Sequence, residues 1–205
     1  GITKIGEYAF AHNKKLEKVT LPKTVRSIGK AAFYDCSDLK SISFPENLEI
    51  IEGWAFEECT SLENITFSGN ELGKINIQAF AFCKALKEVV LPEGVTMVAQ
   101  GVFYNCTNLE KITLPDTVEK MGVSLFRGCT NLKSVRIPLH IVNIERCLFY
   151  GCDSLEEVII PASVIAIEDM AFASCSSLKT IKFLGNQSMW NAISIATSNN
   201  AQLQN

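Results

Sequence analysis

Apolar and polar positions follow one pattern along this chain, and the pattern returns eight times. Its anchor is a phenylalanine: Phe10, Phe33, Phe56, Phe80, Phe103, Phe126, Phe149 and Phe172, spaced by 23 residues apart from one interval of 24. Counted from the anchor, one repeat places Cys106 at +3, Leu109 at +6, Ile112 at +9, Leu114 at +11, Pro115 at +12, Val118 at +15, Met121 at +18 and Gly122 at +19. A fixed period in this range means a solenoid, in which each unit buries its apolar face only by stacking on the next.

Offsets +9 and +11 alternate with polar residues, as in Ile42 and Phe44 or Val135 and Ile137. That alternation predicts a half-buried strand in each repeat. All six prolines stand at +12, where a residue without an N–H ends the strand. Successive strands then pair as a parallel sheet. The segment running through Ala-Phe, such as residues 29–36, is too short for a long helix and predicts one helical or 3-10 turn on the opposite side. Phe fills the centre of each coil. The fold expected is an α/β-type repeat solenoid of eight coils over residues 1–186, with a cap or tail over 187–205.

Two repeats depart. In the third, Ser68, Gly69 and Asn70 replace the proline corner and one extra residue precedes Ile75, which predicts a bulge. In the eighth, Phe183-Leu-Gly-Asn186 replaces it, and the period then stops. Met189, Trp190, Ile193 and Ile195 are candidate cap residues, since a terminal coil must cover its open core. The last seven or so residues are polar and are expected to fray. At the other end Ile2 and Ile5 occupy the places of Val25 and Ile28, so the first coil starts half-way and the sequence reads as a piece of something longer.

Composition narrows the function. A net charge of −3 gives no basic footprint, so nucleic acid is not an expected partner. No apolar stretch of 18 residues exists to span a membrane as a helix. Seven of the eight cysteines stand at +3, one per coil. Side chains stacked in register point the same way rather than at each other, so free buried thiols are expected rather than disulfides. Zinc would need converging ligands, and His12 and His140 are the only imidazoles. Cys147, two residues before Phe149, reads as a half-exposed filler. No cofactor or metal is called for, and no catalytic motif is present; both histidines read as solvated.

Offset +7 reads Glu17, Lys40, Glu63, Lys87, Glu110, Lys133, Glu156, Lys179, alternating in sign without a miss. In a parallel stack each charge is flanked by opposite charges, which guards the register. The outward strand offsets +8 and +10 vary instead. There Glu88, Val90, Lys111, Thr113, Ser134 and Arg136 are the candidate protein-binding residues, in mid-array where the scaffold is stiffest. Tyr104 and Tyr150 on the outer turns are the competing candidates.

The motif Cys-x-x-Leu-x-x-Ile-x-Leu-Pro-x-x-Val-x-x-Ile-Gly-x-x-Ala-Phe resembles the BspA-like leucine-rich repeat family, over residues 2 to about 186. The resemblance implies a right-handed leucine-rich repeat superhelix. It implies that Cys and Asn share the +3 site by hydrogen-bonding a buried turn, with Asn13 taking that role in the first coil. It also implies a secreted or cell-surface protein of a host-associated microbe, acting in adhesion through a protein ligand such as a host matrix or cell-surface protein. A structural spacer carrying another domain of a longer protein is the alternative.

Overall fold

A computed structural model describes residues 1–197, 200 and 203. Each coil from the second to the eighth contributes one strand to a seven-stranded parallel sheet that starts at Ser41–Phe44 and ends at Thr180–Phe183. Residues at +9 and +11 point inward, as the alternation predicts: Ile42, Phe44, Val135 and Ile137 are buried. The first coil joins this sheet only through a bridge from Lys18 to Ser41.

A second row of two-residue strands, not expected from the sequence, runs down the return side at +17 and +18. It begins with Lys4–Ile5, Ser27–Ile28 and Ile50–Ile51. This row is split. Six strands, down to Lys120–Met121, form one sheet, and Asn143–Ile144, Ala166–Ile167 and Ser194–Ile195 form another. Two residues are too few for an alternating signal, so the row is silent in the sequence.

The expected helical or 3-10 turn is not formed; this side is a chain of tight turns. Residues at −2 and +2 from each anchor adopt left-handed backbone, from Tyr8 (φ 53°) and His12 (φ 61°) to Met170 and Ser174 (both φ 57°). These reversals aim alternate N–H groups along the stack. Phe10 donates to Ala32 O at 2.8 Å and Phe33 to Ala55 O at 2.8 Å, while Ala11 closes a local turn onto Tyr8 O at 3.1 Å. A helix would spend those donors within its own coil. Only Gly101, Gly128 and Gly151 bring glycine to these positions, so the usual left-handed cue is mostly missing.

The anchor rings form one continuous stack, with neighbouring centroids 5.0 to 6.0 Å apart. The widest steps, 6.0, 6.0 and 5.6 Å, lie where Val102, Leu125 and Leu148 replace the alanine beside the anchor. A larger side chain there holds adjacent coils apart. Phe33 to Phe172 are fully buried, whereas Phe10 is 40 % exposed.

The bulge in the third coil is present. Its strand Asn64–Phe67 pairs with the next only through Asn64 and Glu88. Gly94 is required where the widened corner presses on it, since a Cβ there would lie 1.6 Å from Asn70 O. After the last coil comes a helix, Gln187–Asn191, capped by the Asn186 side chain accepting from Met189 N at 2.9 Å. Trp190 packs on Phe183 at 5.4 Å, and Ile193 and Leu203 are buried. Asn200, inside the segment expected to fray, is wholly buried. Its Oδ1 accepts from Phe172 N at 3.3 Å, where other coils offer a carbonyl, and its amide donates to Glu168 O at 2.9 Å and Ala196 O at 3.1 Å. The other residues of the expected tail, 198, 199, 201, 202, 204 and 205, lie outside the described residues.

Candidate functional site

The outward face of the seven-stranded sheet assembles the six candidate residues into one exposed patch. Strands Glu88–Val90, Lys111–Thr113 and Ser134–Arg136 lie side by side, with Glu88 opposite Lys111, Val90 opposite Thr113 and Lys111 opposite Ser134. The charges on this patch already have partners. Lys111 Nζ meets Glu88 Oε1 at 2.8 Å. Arg136 makes a two-pronged contact with Asp116 at 2.8 and 3.1 Å, and Leu139 N donates to the same carboxylate at 3.1 Å. The bond from Arg136, helped by Leu139, holds the Asp116 carboxyl below the usual range. Val90 is the apolar point of the patch, 56 % exposed.

The +7 charge ladder lies beside this face and resolves into pairs. Lys40–Glu17, Lys133–Glu110 and Lys179–Glu156 close at 2.9, 2.7 and 3.6 Å. Glu63 and Lys87, at the irregular third step, form no ion pair among the described residues.

On the turn side the Arg127 guanidinium lies between two rings, 4.7 Å from Tyr150 and 5.8 Å from Tyr104. Phe82 meets Tyr104 edge-on at 5.2 Å. The tyrosines were visible in the sequence. Arg127 was missed, although all three residues hold +1 in consecutive coils and therefore stack. Nearer the first coil, Tyr8, His12, Lys30, Tyr34, Trp54 and Glu57 line an open hollow of about 340 Å³. Lys30 lies over the Trp54 ring at 5.0 Å, and His12 meets Asp35 at 3.1 Å. Burial, with the neighbouring Glu58 charge, pushes the Glu57 carboxyl up to about 7. Glu57 has no side-chain hydrogen-bond partner among the described residues.

All eight cysteines are free and buried. Each +3 thiol donates to the anchor carbonyl of the preceding coil, from Cys36 on Phe10 O at 3.1 Å to Cys175 on Phe149 O at 3.1 Å. Asn13 serves the first coil, donating to its own Phe10 O at 2.8 Å. Burial pushes the Cys106 and Cys175 thiols up to about 12. Cys147 is buried rather than half-exposed: like Ala31 at the same −2 turn position it is small enough to stay within the turn, where the larger Tyr8 stands out. Among the described residues no group of three or more His, Cys, Asp or Glu could hold a metal ion, and no helix is long and apolar enough to cross a membrane.

A parallel solenoid of about eight turns with an aromatic spine and a ladder of thiols tied to the turn carbonyls is a leucine-rich repeat protein. The chain belongs to the BspA-type leucine-rich repeat family, whose description "BspA type Leucine rich repeat region" matches in six copies over residues 3–129 and 97–204. It is similar to a leucine-rich cell surface protein of Faecalibacterium prausnitzii, with 31 % identity and a TM-score of 0.64 over 95 % of this chain and 60 % of that one. A leucine-rich repeat protein of Bacteroides ovatus is also 31 % identical, with a TM-score of 0.81 over 95 % of this chain and 55 % of that one. A third, the leucine-rich repeat protein of T. pallidum, is 30 % identical with a TM-score of 0.61, over 87 % of this chain and 72 % of that one. The chain thus spans little more than half the length of the first two. No curated protein matches it.

Proposed function

We propose that this chain is a non-catalytic protein-binding module at a microbial cell surface, acting in adhesion or recognition of a host protein. The observation that carries the reading is the exposed strand face, where varied side chains at Glu88, Val90, Lys111, Thr113, Ser134 and Arg136 stand on a constant core. Such a face offers a ligand a continuous, rigid surface, which keeps the ordering cost of binding low. Family membership and the cell-surface relative support the location.

The test is a binding screen against host matrix proteins with the native chain and the double variant Lys111→Gln/Arg136→Gln. Neutral substitutions are preferable to charge reversal, which would set new carboxylates against Glu88 and Asp116. The double variant should bind at least about tenfold more weakly at an unchanged melting temperature. A second reading rests on the Tyr104–Arg127–Tyr150 stack, since aromatic and arginine side chains concentrate binding energy. If binding survives the glutamines and falls when both tyrosines become Ala, the ligand lies on the turn side.

A further inference from the structure

The return side of the solenoid is closed at every step except one. At the regular steps the N–H groups at +16 and +19 donate to the preceding coil: Glu119 to Thr96 O at 2.9 Å and Gly122 to Val98 O at 2.8 Å, then Ile165 to Val142 O and Glu168 to Ile144 O, both at 2.9 Å; Gly73 and Asn76 do so in the third coil, and Ser194 and Ala196 from the cap. Between the fifth and sixth coils the series stops. Among the described residues no backbone hydrogen bond joins 119–122 to 142–145, and Lys120–Met121 does not pair with Asn143–Ile144. The turn side stays joined there, with Ser124 on Arg146 O and Phe126 on Leu148 O, both at 3.0 Å. The outward side stays joined as well, through the Lys111–Ser134 strand pair and Lys133 N on Glu110 O at 3.2 Å. The two coils therefore part like a wedge, at one of the two widest steps of the ring stack (6.0 Å).

The wedge opens a groove of about 500 Å³. Met121 and Ile141 are buried in it, and Met97, Val123 and Val142 stand more openly along it. Val142 is 46 % exposed and its neighbour Ile165 is 62 % exposed, so the apolar surface continues past the groove. Two carboxylates, Glu119 and Glu145, against Lys120 leave the lining net acidic. A strand edge left with open acceptors on 119–122 and open donors on 142–145 is a template for another chain, and apolar side chains around it supply the pockets.

We propose that this seam binds an extended segment of a partner polypeptide, with apolar residues alternating with polar ones and a basic residue to meet Glu119 and Glu145. Its main chain pairs with the free edges at 119–122 and 142–145, and its apolar side chains rest on Met97, Val123 and Val142. The segment is about four residues long, the reach of the open edges. This site does not depend on the outward strand face; the two lie on different sides of the coil.

Two measurements on the full chain test it. Amide hydrogen exchange comes first. Val142, Asn143 and Glu145 should exchange at least about a hundredfold faster than Ile165 and Glu168, their bonded counterparts one coil on. Equal protection would mean that the seam is closed in solution, and the proposal would be wrong. The second probe is a capped heptapeptide of valines alternating with serines and one central lysine, titrated to about 5 mM and followed by amide shifts, the millimolar range suiting so short a strand. Shifts should centre on 119–123 and 142–145, and those amides should become protected. Val123→Lys/Val142→Lys should weaken binding about tenfold or more at an unchanged melting temperature, while Lys111→Gln/Arg136→Gln leaves it intact. The same peptide N-methylated on alternate amides should not bind. Silence at the seam, indifference to the lysine variant, or equal binding of the N-methylated peptide would each overturn the proposal.

Discussion

The ring stack makes a quantitative prediction, because anchors of one sequence motif sit in unequal surroundings. Phe56 is fully buried, stacked on Phe33 at 5.0 Å and Phe80 at 5.3 Å, and met edge-on by Phe44 at 5.5 Å. Phe10 is 40 % exposed and has a single ring neighbour, Phe33, at 5.1 Å. Truncating a buried Phe to Ala costs about 3–5 kcal/mol. Stacked pairs add about 0.5–1.5 kcal/mol each beyond their area, so Phe56→Ala belongs at the top of that range. Phe10 keeps about three fifths of the burial term and should lose roughly 1–2 kcal/mol. Thr113→Ala, on the exposed face, should cost under about 0.5 kcal/mol. Urea unfolding is the assay, read by the fluorescence of Trp54 in the third coil and Trp190 in the cap. With a slope of about 2 kcal/mol/M, the Phe56 variant should move the midpoint by about 2 M and the Phe10 variant by about 0.5–1 M. The two tryptophans should also part company in the Phe56 variant, since a break in a linear array uncouples its ends. Equal shifts for the two anchors, or a Phe56 shift no larger than that of Thr113, would refute the burial argument.

Thiol counting on the denatured, unreduced chain should find all eight cysteines, and the folded chain at pH 8 should react slowly. Because burial raises Cys106 and Cys175 from about 9 to about 12, their neutral forms favour folding below pH 9, and that contribution is lost as pH climbs through 12; chemical denaturation across this window checks it. Glu57 follows the same sign at lower pH: its contribution is full below about 4.5 and lost as pH rises through about 7, so Glu57→Gln should flatten the melting temperature between those values. Asn200→Ala removes a wholly buried amide with three hydrogen bonds and should cost about 1–3 kcal/mol, seen first in the Trp190 signal.

What the sequence disclosed was whatever repeats in side-chain chemistry. The inward faces of Ile42 and Phe44, the proline corners, the buried anchors and the thiol ladder are each written as one residue type at one offset. The second row of strands and the left-handed turns were not legible, because main-chain partners in neighbouring coils create them. Tyr8, Trp54 and Gln78 all adopt positive φ, and nothing in their side chains asks for it. The lateral bonds that hold those residues exist only once the stack has formed. Asn200 was missed for a related reason: its role is to replace a carbonyl of a coil that is not there.

The same distinction bears on where a partner would attach. A regular coil step uses its charges and its main chain on its neighbours. Along the +7 ladder six of the eight charges are spent in this way, as Glu110 and Lys133 show at 2.7 Å. A ligand gains little by breaking such a pair, because both ends must then be desolvated, so on the strand face it would meet Lys111–Glu88 and Arg136–Asp116 as intact pairs. The irregular steps offer unused groups besides. Among the described residues Glu63 and Lys87 have no ion pair across the third step, and Lys87 N makes no lateral bond to Glu63 O like that of Glu63 N to Lys40 O at 2.9 Å. Val90 rises beside that step on the strand face, joined to it through the single Asn64–Glu88 contact. The groove at the fifth step leaves main-chain groups open as well. The two irregularities differ in kind, one at an inserted residue beside the missing proline corner and one at a coil step of unbroken 23-residue spacing, and each exposes what the regular steps consume.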